Sequence, residues 1–272
     1  MYFEYFLVIL VSILIFLRLR KKIKKYNSIY NLNGLDGVYF HFVNKNFNNT
    51  GLLNFVDKKK NTLGKEISKI SKNQILYGPY SGTKLLDSHG WSNVDLSPKY
   101  LGTYEYHIQN KIIDLTKKKK FEYFIDLGAA EGYHIISLLK KNFFKKGLAF
   151  EVSHKSRSIL KKNALINHIS KKIIIYKNAN FSSLTNALKD YNQKKLLFLV
   201  DIEGQEYNLF QNNFCEKFSK ATFIVEEHPF NVNNKKKVKK FIQNLKKYYK
   251  VEILKDVPKN PFSFSVLDKF SD

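Results

Sequence analysis

From Phe121 onward the chain alternates short apolar runs with segments of helical period. The runs occupy residues 123–127, 147–151, 172–177, 195–201 and 221–227, and the helical segments occupy 132–141, 154–167, 182–191, 206–214 and 234–249. Strands that alternate with helices of this length need crossover connections, so the pattern predicts an α/β unit with a mostly parallel sheet covered on both faces. The tail VEILKDVPKNPFSFSVLD offers two more strands around a Pro/Asn turn, expected as an antiparallel hairpin at one edge.

Upstream the pattern is different. In MYFEYFLVILVSILIFLRLRKKIKK, residues 5–17 carry no charge, and Arg18, Arg20, Lys21, Lys22, Lys24 and Lys25 follow. This predicts one N-terminal transmembrane helix with a basic flank over residues 1–25. The positive-inside rule then places the rest of the chain in the cytoplasm. A cleaved signal peptide would carry its positive charge before the apolar run instead. Residues 26–116 read as an extension, a candidate substrate-side cap, with turn signals in NLNGLDG, NFNNTG, YGPYSGT and DSHGWSN. Within it, LSPKYLGTYEYHIQNKIIDL reads as one helix, with Ser97 as its cap and Pro98 in its first turn. No segment of the extension points to chemistry by itself. Residues 117–272 form the predicted α/β domain.

Composition bounds the rest. A chain of 272 residues that is 44% hydrophobic and 15% aromatic can fill a core, which excludes a disordered chain. The single cysteine, Cys215, excludes a disulfide framework and any multi-cysteine metal site. A formal charge of +24 would attract nucleic acid or an anionic membrane surface. Lysine supplies nearly all of it, alongside abundant Asn, Ile, Phe and Tyr, as compositional bias would produce. Arginine, the usual fork for bases and phosphates, is confined to Arg18, Arg20 and Arg157. Nucleic acid is therefore the disfavoured partner, kept as a rival reading.

In a parallel sheet the ligand crevice lies at the carboxyl ends of the strands, so the residues ending each run are the candidates. The first run leads to DLGAAEG, where Gly128 and Gly132 permit a tight turn, Ala129 and Ala130 keep it low, and Asp126 is an acceptor. The spacing is neither G-x-G-x-x-G nor a P-loop. The second run ends at Glu151, at the distance where a carboxylate meets ribose hydroxyls. The third leads to KNAN, whose Asn178 and Asn180 could read an adenine edge. The fourth gives VDIEGQEY, with Asp201, Glu203 and Glu206 around a glycine. The fifth gives VEEHPF, with Glu226, Glu227 and His228 before Pro229.

FIDLGAAEGYH, AFEVS, FLVDIEGQEYNLF and FIVEEHP together resemble the successive motifs of class I S-adenosylmethionine-dependent methyltransferases, over residues 121–272. DIEGQE is similar to the D-[IV]-E-G-x-E signature of the FkbM family. The resemblance implies a Rossmann-like doubly wound fold and S-adenosylmethionine as cofactor. It implies that Gly128, Ala129, Ala130 and Gly132 underlie the methionine part, with Asp126 beside it, Glu151 on the ribose and Asn178 near the adenine. Asp201 would face the cofactor's amino end or the reacting centre. Glu131 stands where the family usually has a small or neutral residue, and either points to solvent or alters the contact to the cofactor's charged end.

A hydroxyl nucleophile would need a base, for which His228 is the first candidate, with Glu203, Glu206 and Glu227 as alternatives. His134 is expected to line or pack near the cofactor. Asp201, Glu203, Glu226, Glu227 and His228 could ligate a metal, but the expectation is none. The acceptor expected from family and anchor together is a sugar hydroxyl on a glycan or a lipid-linked precursor. A catalytically silent anchored module is the remaining rival.

Overall fold

The computed structural model describes residues 51–86, 96–228 and 235–254. The chain divides into two compact units, Met1–Lys59 and Lys60–Asp272. The expected transmembrane segment lies outside the described residues, as do Pro229 and most of the expected C-terminal hairpin; residues 251–254 form no strand. Among the described residues no helix is long and apolar enough to cross a membrane.

The described elements, in chain order, begin with α1 (Gly51–Ile70), α2 (Leu96–Leu101) and α3 (Tyr106–Lys118). Then come β1 (Tyr123–Leu127), α4 (Tyr133–Lys140), β2 (Lys146–Phe150), α5 (His154–Ile166), β3 (Ile173–Tyr176) and α6 (Phe181–Ala187). The remainder is β4 (Leu196–Val200), α7 (Glu206–Leu209), α8 (Asn212–Lys217), β5 (Thr222–Val225) and α9 (Lys235–Leu245). All five strands are parallel, in the order β3-β2-β1-β4-β5. Strand order reverses between β1 and β4, so the crevice of this Rossmann-like sheet lies above that pair.

The period-2 alternation of the strands sorts their side chains into two cores. Phe124, Leu197 and Leu199 face one layer, packed with Ile67 of α1, Tyr100 of α2, Ile112 of α3 and Ile135 of α4. Ile125, Leu127, Phe198 and Val200 face the other, packed with Leu184 of α6, Phe214 of α8 and Leu245 of α9. The fully buried Cys215 belongs to this second core as a small apolar side chain.

Two expected helices are each broken in two. The segment 96–118 turns between α2 and α3, where Gly102 (φ +74) packs so closely that a Cβ would overlap the Tyr77 carbonyl, and Glu105 is left-handed (φ 45). The apolar spacing spans the break, and the φ values prevent one continuous helix. Likewise α7 stops at Leu209 and α8 begins at Asn212.

Candidate functional site

The turn after β1 ties three strand ends together. Gly128 and Ala129 N–H both donate to the Phe150 carbonyl at the end of β2 (2.9 and 3.1 Å), and Asp201 N–H donates to the Leu127 carbonyl (2.9 Å). Gly128 has φ +88, and a Cβ there would overlap the Asp201 carbonyl oxygen. Only glycine allows this approach. Ala130 follows in the left-handed region (φ 45), and its N–H donates to Glu151 Oε2 (2.8 Å). Ser153 N–H donates to Glu151 Oε1 (2.7 Å), so two backbone groups orient this carboxylate while each oxygen keeps a further lone pair.

Above the turn lies a cavity of about 630 Å³, lined in strand order by Asn178 after β3, Glu151 after β2, Gly128, Ala130 and Glu131 after β1, and Asp201 after β4. Phe150, Phe181 and Leu209 supply apolar wall. This size and mixture suit a nucleoside-sized ligand. The site therefore brings together Gly128, Ala130, Glu151, Asn178, Asp201 and Glu203. Asp126 (4% exposed) and Ala129 (5% exposed) lie beneath the lining, and Gly132 caps α4. Asn180 also lines the cavity while its side chain caps α6, accepting from Ser183 N–H (2.9 Å).

Burial, then the nearby charges of Glu105 and Glu151, pushes Asp126 up to about 7 against the opposing pull of His134.

At the β4 and β5 ends, His228 stands among carboxylates. Its Nε2 lies 3.5 Å from Asp201 Oδ1, 3.8 Å from Glu203 Oε2 and 4.0 Å from Glu226 Oε1, and its Nδ1 lies 3.3 Å from Glu206 Oε1. Burial lowers the His228 pKa, but Glu206, Asp201, Glu226 and Glu203 outweigh it and raise it overall. Burial, with Glu226 and Glu105, pushes Asp201 up to about 7. Two of the alternative bases have structural duties. Glu206 is fully buried and accepts from Ile202 N–H (2.9 Å), bracing the turn in which Glu203 is left-handed (φ 54). Glu227 accepts from the Tyr207 hydroxyl. Asp201, Glu203 and His228 form one set of donors within 4.8 Å of one another, two oxygens and an imidazole nitrogen, and Glu105, Asp201 and Glu226 form a second, all oxygen, of the kind that suits a hard divalent cation.

The extension contributes residues that sequence reasoning missed. Lys99 and Tyr104 line the cavity. Glu131 does not reach solvent: it is 2% exposed and pairs with Lys99. His134 is buried outside the cavity lining, between Tyr80 Oη at Nδ1 (3.0 Å) and Glu105 Oε2 at Nε2 (2.8 Å). Asn163 of α5 accepts from Leu86 N–H and donates to the Glu131 carbonyl (3.0 and 2.9 Å), fastening the extension to the glycine turn. In the sequence, LSPKYLGTYEYH holds Lys99, Tyr104 and Glu105 within a few residues, but its apolar spacing marks only a helix.

The His134–Glu105 pair has a stability signature. Burial raises Glu105, but the hydrogen bond and charge of His134 outweigh it and bring the carboxyl down to about 2. Burial lowers His134, but the hydrogen bond and charge of Glu105 outweigh it and raise it above 6.5. Glu105 thus stabilises the fold above its ordinary value of 4.5, and this is lost as pH falls toward 2. His134 stabilises it below 6.5, and this is lost as pH rises through the folded value. Glu105→Gln is expected to cost about 2–4 kcal/mol, the range for breaking a buried pair while keeping an acceptor. In urea titrations the difference from wild type should peak between pH 4.5 and 6.5 and narrow on either side. A pH-independent difference would count against the ion pair.

No family model matches the chain, and no curated protein matches it. Solved structures do resemble it. The P. horikoshii protein TYW2 in complex with MeSAdo is similar with a TM-score of 0.33 and 17% identity, over 52% of this chain and 51% of that one. An RNA methyltransferase from Salinibacter ruber in complex with S-adenosyl-L-homocysteine gives 0.25 and 13%, over 34% and 56%. A SAM-dependent methyltransferase from Geobacter sulfurreducens in complex with S-adenosyl-L-homocysteine gives 0.32 and 10%, over 43% and 47%. The chain spans about half the length of the first of these.

Proposed function

We propose that the chain is an S-adenosylmethionine-dependent methyltransferase of the FkbM type that methylates a sugar hydroxyl on a glycan or lipid-linked precursor. In this reading residues 5–17 anchor it as a single-pass membrane protein whose catalytic domain faces the cytoplasm. The observation that carries the reading is the cavity at the β1/β4 switch point, with a glycine turn too tight for any side chain on one wall and the fixed Glu151 carboxylate on another.

The donor set fits the cofactor. Glu151 has lone pairs for ribose hydroxyls, Phe150 and Phe181 offer apolar wall for a purine, and Asp201 is a carboxylate suited to a cation. When bound, S-adenosylmethionine supplies a methyl group on a sulfonium, open to in-line displacement. The residues of this chain hold the two reactants in line and take the acceptor's proton. His228 is the proposed base; it stands at the β4 and β5 ends beside Asp201 and Glu206, and Asp201 lines the cavity.

Binding is expected to release protons. A cationic ligand favours ionised Asp201, whose carboxyl titrates at about 7. Below that pH a proton must leave as the ligand enters, so affinity should rise by about tenfold per pH unit for one proton and level off above it. Calorimetry in two buffers of different ionisation enthalpy measures the proton count. An affinity flat from pH 5.5 to 8 would remove Asp201 from the field of the cofactor's positive charge.

The charge of +24 favours a second reading, in which the acceptor is RNA. Incubating the full chain with radiolabelled S-adenosylmethionine and separate membrane, glycan and RNA fractions distinguishes the two. Label confined to RNA, with binding that weakens steeply as salt rises, would establish the second reading and sink the first.

A further inference from the structure

The Lys99–Glu131 pair lies in the cavity wall beside the glycine turn, with both side chains almost wholly buried (9% and 3% exposed). Taking both charges out of water is costly, and a packed apolar pair would serve as well if the contact only joined α2 to the turn. Lys99 Nζ also lies 4.6 Å from the centre of the Tyr104 ring, another cavity wall residue, which steadies the ammonium at the cavity surface. Glu131 is held from behind, its carbonyl accepting from Asn163 Nδ2 (2.9 Å). The cavity wall thus presents a cation and an anion side by side. A ligand group complementary to such a pair carries an anion and a cation one carbon apart, as an α-amino acid does.

We propose that Lys99 and Glu131 are the receptor for the zwitterionic amino-acid end of the cofactor, Lys99 taking the α-carboxylate and Glu131 the α-ammonium. This rests on the cofactor reading above and adds a binding determinant from outside the sheet. It also gives the glutamate within the turn a purpose. A neutral residue there would leave Lys99 to bind the carboxylate without matching the ammonium, whereas the pair matches both charges and exchanges one ion pair for two.

The test compares two ligands that share adenosine and a thioether: S-adenosylhomocysteine, which has the amino-acid end, and 5′-methylthioadenosine, which lacks it. Calorimetry on the full chain is expected to show wild type preferring S-adenosylhomocysteine by about 100-fold or more, the value of two charge-assisted hydrogen bonds. Lys99→Met alone strands a buried carboxylate, so the decisive variant is the double change Lys99→Met with Glu131→Gln, which removes both charges at similar volume. It should lose about 100-fold for S-adenosylhomocysteine while its affinity for 5′-methylthioadenosine stays within about twofold. A double variant that keeps the wild-type ratio, whether both affinities hold or both fall together, overturns the assignment and leaves the pair a structural joint. Wild type that binds both ligands equally overturns it as well. Wild type that binds neither overturns the cofactor reading itself, and the assignment with it.

Discussion

Gly128→Ala is expected to abolish cofactor binding, although it adds a single methyl group. At φ +88 an L side chain is strained by about 1–2 kcal/mol. The added Cβ would also overlap the Asp201 carbonyl, which is backbone and has no rotamer into which to retreat. Separating the β1 and β4 ends costs about a further 1–3 kcal/mol, the range for overpacking. The expected total of about 2–5 kcal/mol should lower the melting temperature. In the variants that remain folded, Asp201 and Gly128 no longer share one wall, and affinity should fall by more than about 100-fold, consistent with sensitivity to an ångström of misplacement. Thermal melts together with calorimetric titration check both parts. A variant that melts like wild type and binds normally would contradict the close approach itself.

His228→Asn is expected to reduce methyl transfer by about 100-fold to 10,000-fold, the usual contribution of a positioned base, while leaving cofactor affinity unchanged. The surrounding carboxylates raise the pKa of His228 and so favour its protonated form, which cannot accept a proton. Wild-type turnover should therefore climb with pH through the raised value and reach its plateau above the ordinary histidine range. The variant should lose that limb. The measurement is initial rate of label transfer, from pH 6 to 9, into whichever fraction accepts it. Retention of the rising limb in His228→Asn would assign the proton to another group, with Asp201 next.

The sheet was legible because each strand announces itself twice, as an apolar run and as a polar residue at its carboxyl end. Glu151 is the clearest case: its position 25 residues after Asp126 placed it at the tip of the neighbouring strand, where it holds the Ala130 and Ser153 amides. The residue types of DIEGQE were legible, but their division of labour was not. Glu206 braces the turn from a fully buried position and Glu203 lines the cavity, and nothing in a string of acids distinguishes the two roles. The extension was least legible. Lys99 and Glu105 sit in a segment whose apolar spacing suggests an unbroken helix, and their partners Glu131 and His134 lie about thirty residues later. An ion pair at that separation leaves no periodic trace in the sequence. Its only mark was that Glu131 looked out of place.

That ion pair has a consequence for how such a protein can diverge. The segment that precedes the sheet is the one expected to shape the acceptor side, and so the one free to vary when the acceptor changes. Here it also holds a glutamate of the turn after β1, on the cavity wall. Grafting the segment from a relative with a different acceptor would import a new partner for Glu131, or none. Chimeras built at the start of β1 should then inherit altered cofactor selectivity along with altered acceptor choice, and exchange at that seam would succeed only when the turn is exchanged with it.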